Sequence, residues 1–297
     1  MATDVPRAFE SYATEEIPQA PAGAPGKDGR LDLEFAQCNG ETRLVRDFAR
    51  APFHISGTLD SDPLSEAATV YSQSPTGGIA QGDRHDITVA VGADAVAHVS
   101  TQSATKVYSM DHNYAHADVS LSVGSGGHLD YVPEPTILHE RSRLYQSLTL
   151  DVAADGSAVV GEIVVPGRLA REEVFEFERY LSRVRIRGPD RLLATDAAHL
   201  QPGDRSPQSP GVLGGDNVYG TLFVVAPAAD ETTLSDDVHE AVAEHTPTAG
   251  ATALPNGAGV VVRALGETSE PVRETLHAAW SRARNSLIGA PAPERRK

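Results

Sequence analysis

Six of the eleven histidines, His85, His98, His112, His116, His128 and His139, fall between Asp83 and Glu140. Imidazole with carboxylate is the donor set that borderline divalent ions such as nickel accept. Spacing alone does not assemble these side chains. On a helix His112 and His116 would share a face and could chelate one ion, whereas on a strand four residues span roughly 13 Å, too far for a shared metal. The flanking sequence alternates as strand and loop, so this pair reads as histidines of no metal role, with transient binding of a borderline metal as the alternative. Cys38 is the single cysteine, which excludes an internal disulfide and a multi-thiolate site within one chain. A serine elbow, a phosphate-binding loop and a dinucleotide fingerprint are all missing from the sequence. The glycine-rich residues 211–216 lack the lysine of a phosphate loop, and 124–127 sit between two strand patterns, so both read as turns.

The elements that must position such groups are mostly strands. Leu31, Leu33 and Phe35 alternate with Asp32 and Glu34, the two-residue period of a half-buried strand. Ile87, Val89 and Val91 repeat it. A turn at 92–94 then leads into 95–101, which reads as the next strand of the same sheet. Val119, Leu121 and Val123 precede the 124–127 turn and 129–132; Leu148, Leu150 and Val152 precede 158–165. Val184 and Ile186 point inward between Arg183, Arg185 and Arg187, and the turn at 188–190 returns the chain into Leu192. Residues 201–216 read as a long loop, followed by a strand at 218–225. One helix is expected from about Ser235 to His245. A clearer one is capped by Ser269, carries Val272, Leu276, Trp280, Ala283 and Leu287 at helical spacing, and stops at Gly289. No fixed-length repeat is visible, so periodicity does not argue for a regular solenoid.

Composition bounds the function. With 41 acidic against 25 basic residues the formal net charge is -16, which excludes an extended phosphate-binding face and makes nucleic acid a poor partner. Lysine is confined to Lys27, Lys106 and Lys297. That acidity with so little lysine suits a salt-rich, halophilic cytoplasm, where screening tolerates self-repulsion. No apolar run approaches the ~20 residues that cross a bilayer and no export signal is visible, so no membrane partner and a cytoplasmic location are expected. Residues 1–28 read as a disordered acidic and proline-rich arm, 29–290 as one folded domain, and 291–297 as a basic tail.

Four segments stand in order: Gly77-Gly78-Ile79-Ala80-Gln81-Gly82-Asp83, Ser100-Thr101-Gln102-Ser103-Ala104-Thr105-Lys106-Val107-Tyr108, Tyr131-Val132-Pro133-Glu134-Pro135-Thr136-Ile137, and Gly161-Glu162-Ile163 with Gly167-Arg168. Singly each occurs in many folds; together they resemble the UreD (UreH) family of urease accessory proteins. The likeness covers 29–290. It departs at Gln81, where a second glycine is common, and at Pro135, in place of a polar residue.

The resemblance implies a mainly β fold, β-helix-like stacked sheets with a few α-helices towards the C-terminus. It implies a maturation factor and not an enzyme, which binds apo-urease, UreF and the GTPase UreG and helps deliver Ni(II) to the urease active site. No cofactor would be tightly bound, and nickel would be held transiently. Asp83, Thr105, Glu162 and, more loosely, Asp196 match the polar positions that the resemblance implies for an internal nickel path. Read as residues alone, Asp83 could instead cap its turn and Glu162 could face solvent on its strand. Arg141, Arg143, Arg168 and Arg171 are expected to pair with internal carboxylates. Two rival readings are a metal-dependent hydrolase using Asp, Glu and His of the central segment, and a carbohydrate-binding or structural β-solenoid, the latter opposed by an aromatic content of 5%.

Overall fold

The computed structural model describes residues 5–17, 26–75, 77–243, 245 and 248–294. After a short helix Glu10–Ala13 (α1), the strands in chain order are Asp28–Cys38 (β1), Glu41–Arg50 (β2), His54–Ile55 (β3), Ala68–Gln73 (β4), Gly78–Ile79 (β5) and Arg84–Val91 (β6). They continue as Val96–Thr101 (β7), Thr105–Val107 (β8), Ala115–Val123 (β9), His128–Tyr131 (β10), Thr136–Leu138 (β11) and Arg143–Val152 (β12). Ser157–Val165 (β13), Arg179–Arg187 (β14), Leu192–Leu200 (β15) and Val218–Val225 (β16) follow. Helix Glu231–Ala243 (α2), strands Ala249–Ala253 (β17) and Gly259–Gly266 (β18) and helix Ser269–Ile288 (α3) complete the described elements.

These strands wind into a β-solenoid of about four turns, the β-helix-like stack that the resemblance implies. One face is the parallel ladder β4-β7-β10-β13 and the opposite face the parallel ladder β6-β9-β12-β14. Between them β5, β8 and β11 form a narrow third side. β1 adds a further parallel strand beside β6, and antiparallel strands extend both ladders from there: β2 follows β1, β15 continues the β14 side, and β16, β18 and β17 continue the β13 side. The turn of the winding is 32, 29 and then 36 residues long, read from the register Arg84, His116, Tyr145, Leu181. That inequality is why no repeat is visible in the sequence: residues 166–178 lengthen one turn, and the strands repeat in space without repeating in number.

The turns at 92–94 and 124–127 are corners between opposite faces. β6 and β7 therefore lie in different sheets, against the expectation of one sheet, and so do β9 and β10. The corners stack and bond to one another, as in Asp94 N to Ser125 O at 2.9 Å and Ser157 N to Gly127 O at 3.0 Å. Stacking requires glycine: a Cβ on Gly127 would lie 2.8 Å from Gly92 O, and one on Gly156 2.9 Å from Gly124 O. A hairpin would leave these backbones apart; the solenoid corner presses them together.

The space between the two large faces is filled by alternating residues of both, among them Leu31, Leu33, Phe35, Val89, Leu121, Leu129, Leu150 and Val160. A second core lies outside the β13 face, where α2 and α3 bury Leu234, Val238, Val272, Leu276 and Trp280 against β16 and β18. β16 is buried along its whole length between these two cores, as the apolar run 218–225 requires. Gly289 ends α3 at φ 71°, as expected; Thr268, not Ser269, precedes its first residue. Helix α2 begins earlier than expected because Asp230, whose Oδ1 accepts from Thr233 N at 2.8 Å, caps it in place of Ser235.

The N-terminal arm needs correction over the part described. Residues 5–17 are docked on the outer face of the β6 ladder, with Phe9 fully buried against Tyr114, Tyr145 and Leu181. Tyr12 donates to Glu178, and Glu15 pairs with Arg143 at 2.9 Å. Two aromatics three residues apart among alanines and acids make too short a pattern to signal burial, yet Phe9 and Tyr12 together anchor the segment. Residues 1–4, 18–25 and 295–297 lie outside the described residues. Of the four arginines expected to find carboxylates, Arg143 pairs with Glu15 and Glu178, Arg168 with Glu173, and Arg141 with Asp111 at an exposed site. No helix among the described residues is long and apolar enough to cross a membrane.

Candidate functional site

At one end of the inter-sheet space the apolar filling gives way to polar side chains. Strand parity explains why. His85, Gln146 and Ser182 each stand two residues before an inward apolar residue, Ile87, Leu148 and Val184, and the parallel register places them in one row with Ala117. Across from them Glu162 occupies the inward position after Val160 on β13, with Thr221 beside it on β16. These groups line a cavity of about 370 Å³, together with Ser72, Thr101, Thr105 and Asp196. Too many polar side chains face inward here for the sheets to close dry.

Glu162 is the centre of this end. Its Oε1 accepts three hydrogen bonds, from Gln146 Nε2 at 2.8 Å, Tyr180 OH at 2.6 Å and Ser182 Oγ at 3.1 Å. The carboxylate lies deep among protein atoms, while the residue keeps accessible surface where it meets the cavity. Burial raises its pKa, and Asp196 raises it further, against the lowering by its donors. Among the described residues no cation pairs with it. A carboxylate held by neutral donors beside a cavity that can hold water is a weak, exchangeable seat for a metal ion.

Asp196 faces inward on β15, and its Oδ1 meets Arg263 Nη2 of β18 at 2.6 Å, an ion pair that ties the two sheets together at the cavity's flank. His85 lines the opposite part, 7% exposed, with its Nε2 unpartnered and its pKa lowered by burial. Thr105, Glu162 and Asp196 thus share one cavity. Asp83 does not line it. Both its oxygens serve the chain fold, Oδ1 accepting from Lys27 N at 2.8 Å and Oδ2 from Ala80 N at 2.9 Å, so it closes the 77–83 turn behind His85, 3.9 Å from that ring.

The other histidines are dealt to separate places by the winding. His116 stacks on Tyr145 at 4.4 Å on the outer face beneath the N-terminal segment. His98 and His128 lie on the outer side of the β13 face, under α3. Among the described residues no three His, Cys, Asp or Glu side chains stand together as a metal site, so the hydrolase reading has no assembled centre there.

Beneath α3 lies a cluster not singled out in the sequence. Asp130 Oδ1 accepts from Trp280 Nε1 at 2.6 Å and meets His128 Nε2 at 3.1 Å, and its Oδ2 pairs with Arg284 Nε at 3.0 Å. The same guanidinium pairs with both oxygens of Asp62 and donates to Pro291 O. Burial alone would raise the pKa of Asp130, but His128, Arg284 and His98 hold it below the usual value. The signal for this cluster was an arginine inside the apolar stripe of α3, four residues after Trp280. The signal for the cavity was Gln146 and Ser182 at inward parity on otherwise apolar strands.

The family model described as UreD urease accessory protein matches residues 27–297. The chain is 63% identical to a Haloarcula marismortui protein named Urease accessory protein UreD, over the whole of both chains. It is 44% identical to the protein of that name from Natronomonas pharaonis, over 99% of each chain. To Urease accessory protein UreD 2 of Streptomyces griseus it is 35% identical, over 93% of this chain and 95% of the relative.

Proposed function

This chain belongs to the UreD family of urease accessory proteins, which places it in urease maturation, and from that premise we propose that it carries Ni(II) through its inter-sheet cavity to apo-urease. The observation that carries this reading is the convergence of Thr105, Glu162 and Asp196 on one polar cavity inside the solenoid. Hydroxyl, amide and carboxylate oxygens supply successive weak ligands, and an ion held by any one of them can move to the next. Glu162 is the strongest of these seats. Gln146, Tyr180 and Ser182 fix its orientation through Oε1 and leave the second oxygen for the cation.

Asp83 works at one remove: by closing its turn it sets His85 against the cavity wall. The partners in this reading are apo-urease, UreF and the GTPase UreG, with the energy of nucleotide hydrolysis supplied by the last. The setting is a cytoplasm, and the charge of -16 with few lysines suits one rich in salt.

The test is a strain lacking this protein, complemented with wild type, Glu162→Gln or Asp196→Asn, with nickel per urease measured on the purified enzyme. Wild type restores nickel, and each variant co-purifies with urease yet leaves it short of metal. Urease fully loaded by both variants would remove the cavity from the route.

A further inference from the structure

The parity that turns Ser182, Val184 and Ile186 into the inter-sheet space turns Leu181, Arg183, Arg185 and Arg187 onto the outer face of the seven-stranded sheet. The N-terminal segment covers the start of this row, where Phe9 packs with Leu181. Beyond it Arg183 is half-buried, and Arg185 and Arg187 are exposed. Their neighbours in the register are small: Ser147 and Thr149 on β12, Ala197 and Thr195 on β15. The arginines are therefore the longest side chains of that part of the face. The row ends beside Leu192, which pairs with Arg187 across the strands and is 51% exposed.

In a chain of net charge -16 carboxylates are plentiful, and most arginines described above have found one. Arg187 has too, meeting Asp151 at 3.2 Å. Arg183 lies 6.0 Å over the Tyr145 ring, and among the described residues neither it nor Arg185 pairs with a carboxylate. Their charge is felt nearby: burial lowers the pKa of His199, outward on β15, and Arg179 and Arg183 lower it further. Like charges about 6.6 Å apart on one strand oppose each other, a cost that an anion from outside removes.

The docked segment shows what this face accepts. Residues 5–17 bring it an apolar ring, Phe9, and a carboxylate, Glu15, which pairs with Arg143 at 2.9 Å. Carboxylates four residues apart on a helix stand about 6 Å apart along its axis, close to the 6.6 Å or so between successive outward residues of a strand. In a salt-rich medium screening confines attraction to groups in contact, where a guanidinium holds a carboxylate through paired N–H donors. We propose that the outer face of β14 and β15 is a docking surface for an acidic helix of a partner protein. The helix sets carboxylates at i and i+4 on Arg183 and Arg185 and an apolar side chain one turn further, on Leu192. Docking here is separable from the passage of a cation inside the solenoid.

The full-length protein is co-expressed with apo-urease, UreF and UreG and recovered by a tag, and each co-purifying chain is quantified. Arg183→Glu with Arg185→Glu lowers the recovery of at least one of the three by about tenfold or more, the scale of lost interface arginines. Arg43→Glu with Arg205→Glu, at exposed positions off this row, leaves all three at the wild-type level. Where the reversal fails to fold, Arg183→Ser with Arg185→Ser takes its place. Unchanged recovery of all three overturns the proposal. So does self-association of the wild-type protein alone that the reversal abolishes, because a second copy then closes the face. The chemistry is read with Arg185→Lys in a chain whose own lysines number three. Carbodiimide coupling joins the introduced amine to a partner carboxylate as an amide, with water taken up by the reagent, and mass spectrometry locates the bond. A coupled Glu or Asp with a second acid four residues away is expected; one without it overturns the helical fit. The passage is judged separately by Glu162→Gln, which leaves this row intact.

Discussion

Two buried carboxylates on neighbouring strands of one sheet, Asp130 and Glu162, face opposite ways and meet opposite fates. Asp130 points out under α3, where His128, Trp280 and Arg284 occupy both its oxygens. Glu162 points in, where neutral donors crowd one oxygen and a cavity lies beside it. The first is paired with a guanidinium of its own chain and holds the structure together. The second is oriented but not neutralised, which leaves it available to a cation from outside. Depth of burial does not separate the two; the charge of the partners does.

The largest effect should come from the neutralised site. Arg284→Met strands Asp62 and Asp130 without their guanidinium and is expected to cost about 3–5 kcal/mol, read from urea unfolding at constant salt. A loss under about 1 kcal/mol would mean that His128 and Trp280 suffice. Asp130→Asn should cost less, about 1–3 kcal/mol, because Arg284 keeps Asp62 and Pro291. Glu162→Gln should change stability by no more than about 1 kcal/mol in either direction while depriving urease of nickel. Equal destabilisation by Asp130→Asn and Glu162→Gln would erase the contrast.

The finest discrimination is the sign of the pH dependence. The folded-state pKa of Asp130 is depressed, so its contribution is present above its unfolded value of 3.8 and is lost as pH falls through the folded value. The pKa of Glu162 is raised, so its contribution is fully present below 4.5 and is lost as pH rises through the folded value. Relative to wild type, Glu162→Gln should therefore gain stability as pH rises from 4.5, and Asp130→Asn should lose it as pH rises from below 3.8. Unfolding curves at a series of pH values check this; slopes of the same sign for both variants would contradict it.

Much of the β body was legible in the sequence because alternation is a local property. The strand around Leu31, the hairpin of Val184 with Leu192 and the stripe of α3 through Trp280 all follow from nearest neighbours. The winding was not legible: its turns differ in length, and a corner such as 124–127 has the same residues as a hairpin. Which sheet receives the next strand is decided by stacked glycines far apart in sequence. The site divided in the same way. Glu162, Thr105 and Asp196 could be placed by family likeness, but their shared cavity depends on a register among β12, β13, β14 and β15. Asp130 with Arg284 joins residues 154 apart, and only the odd arginine in an apolar stripe marked it. Phe9 escaped notice because its partners lie more than a hundred residues downstream.

The cavity's last wall is also the last to be made. Asp196 on β15 and Thr221 and Phe223 on β16 line the cavity from opposite sheets, and the Arg263 that pairs with Asp196 comes later still. A chain that has emerged only as far as β14 lacks these lining residues. Vectorial synthesis thus supplies the cavity's lining in order, with the residues of β15 and β16 the last to arrive.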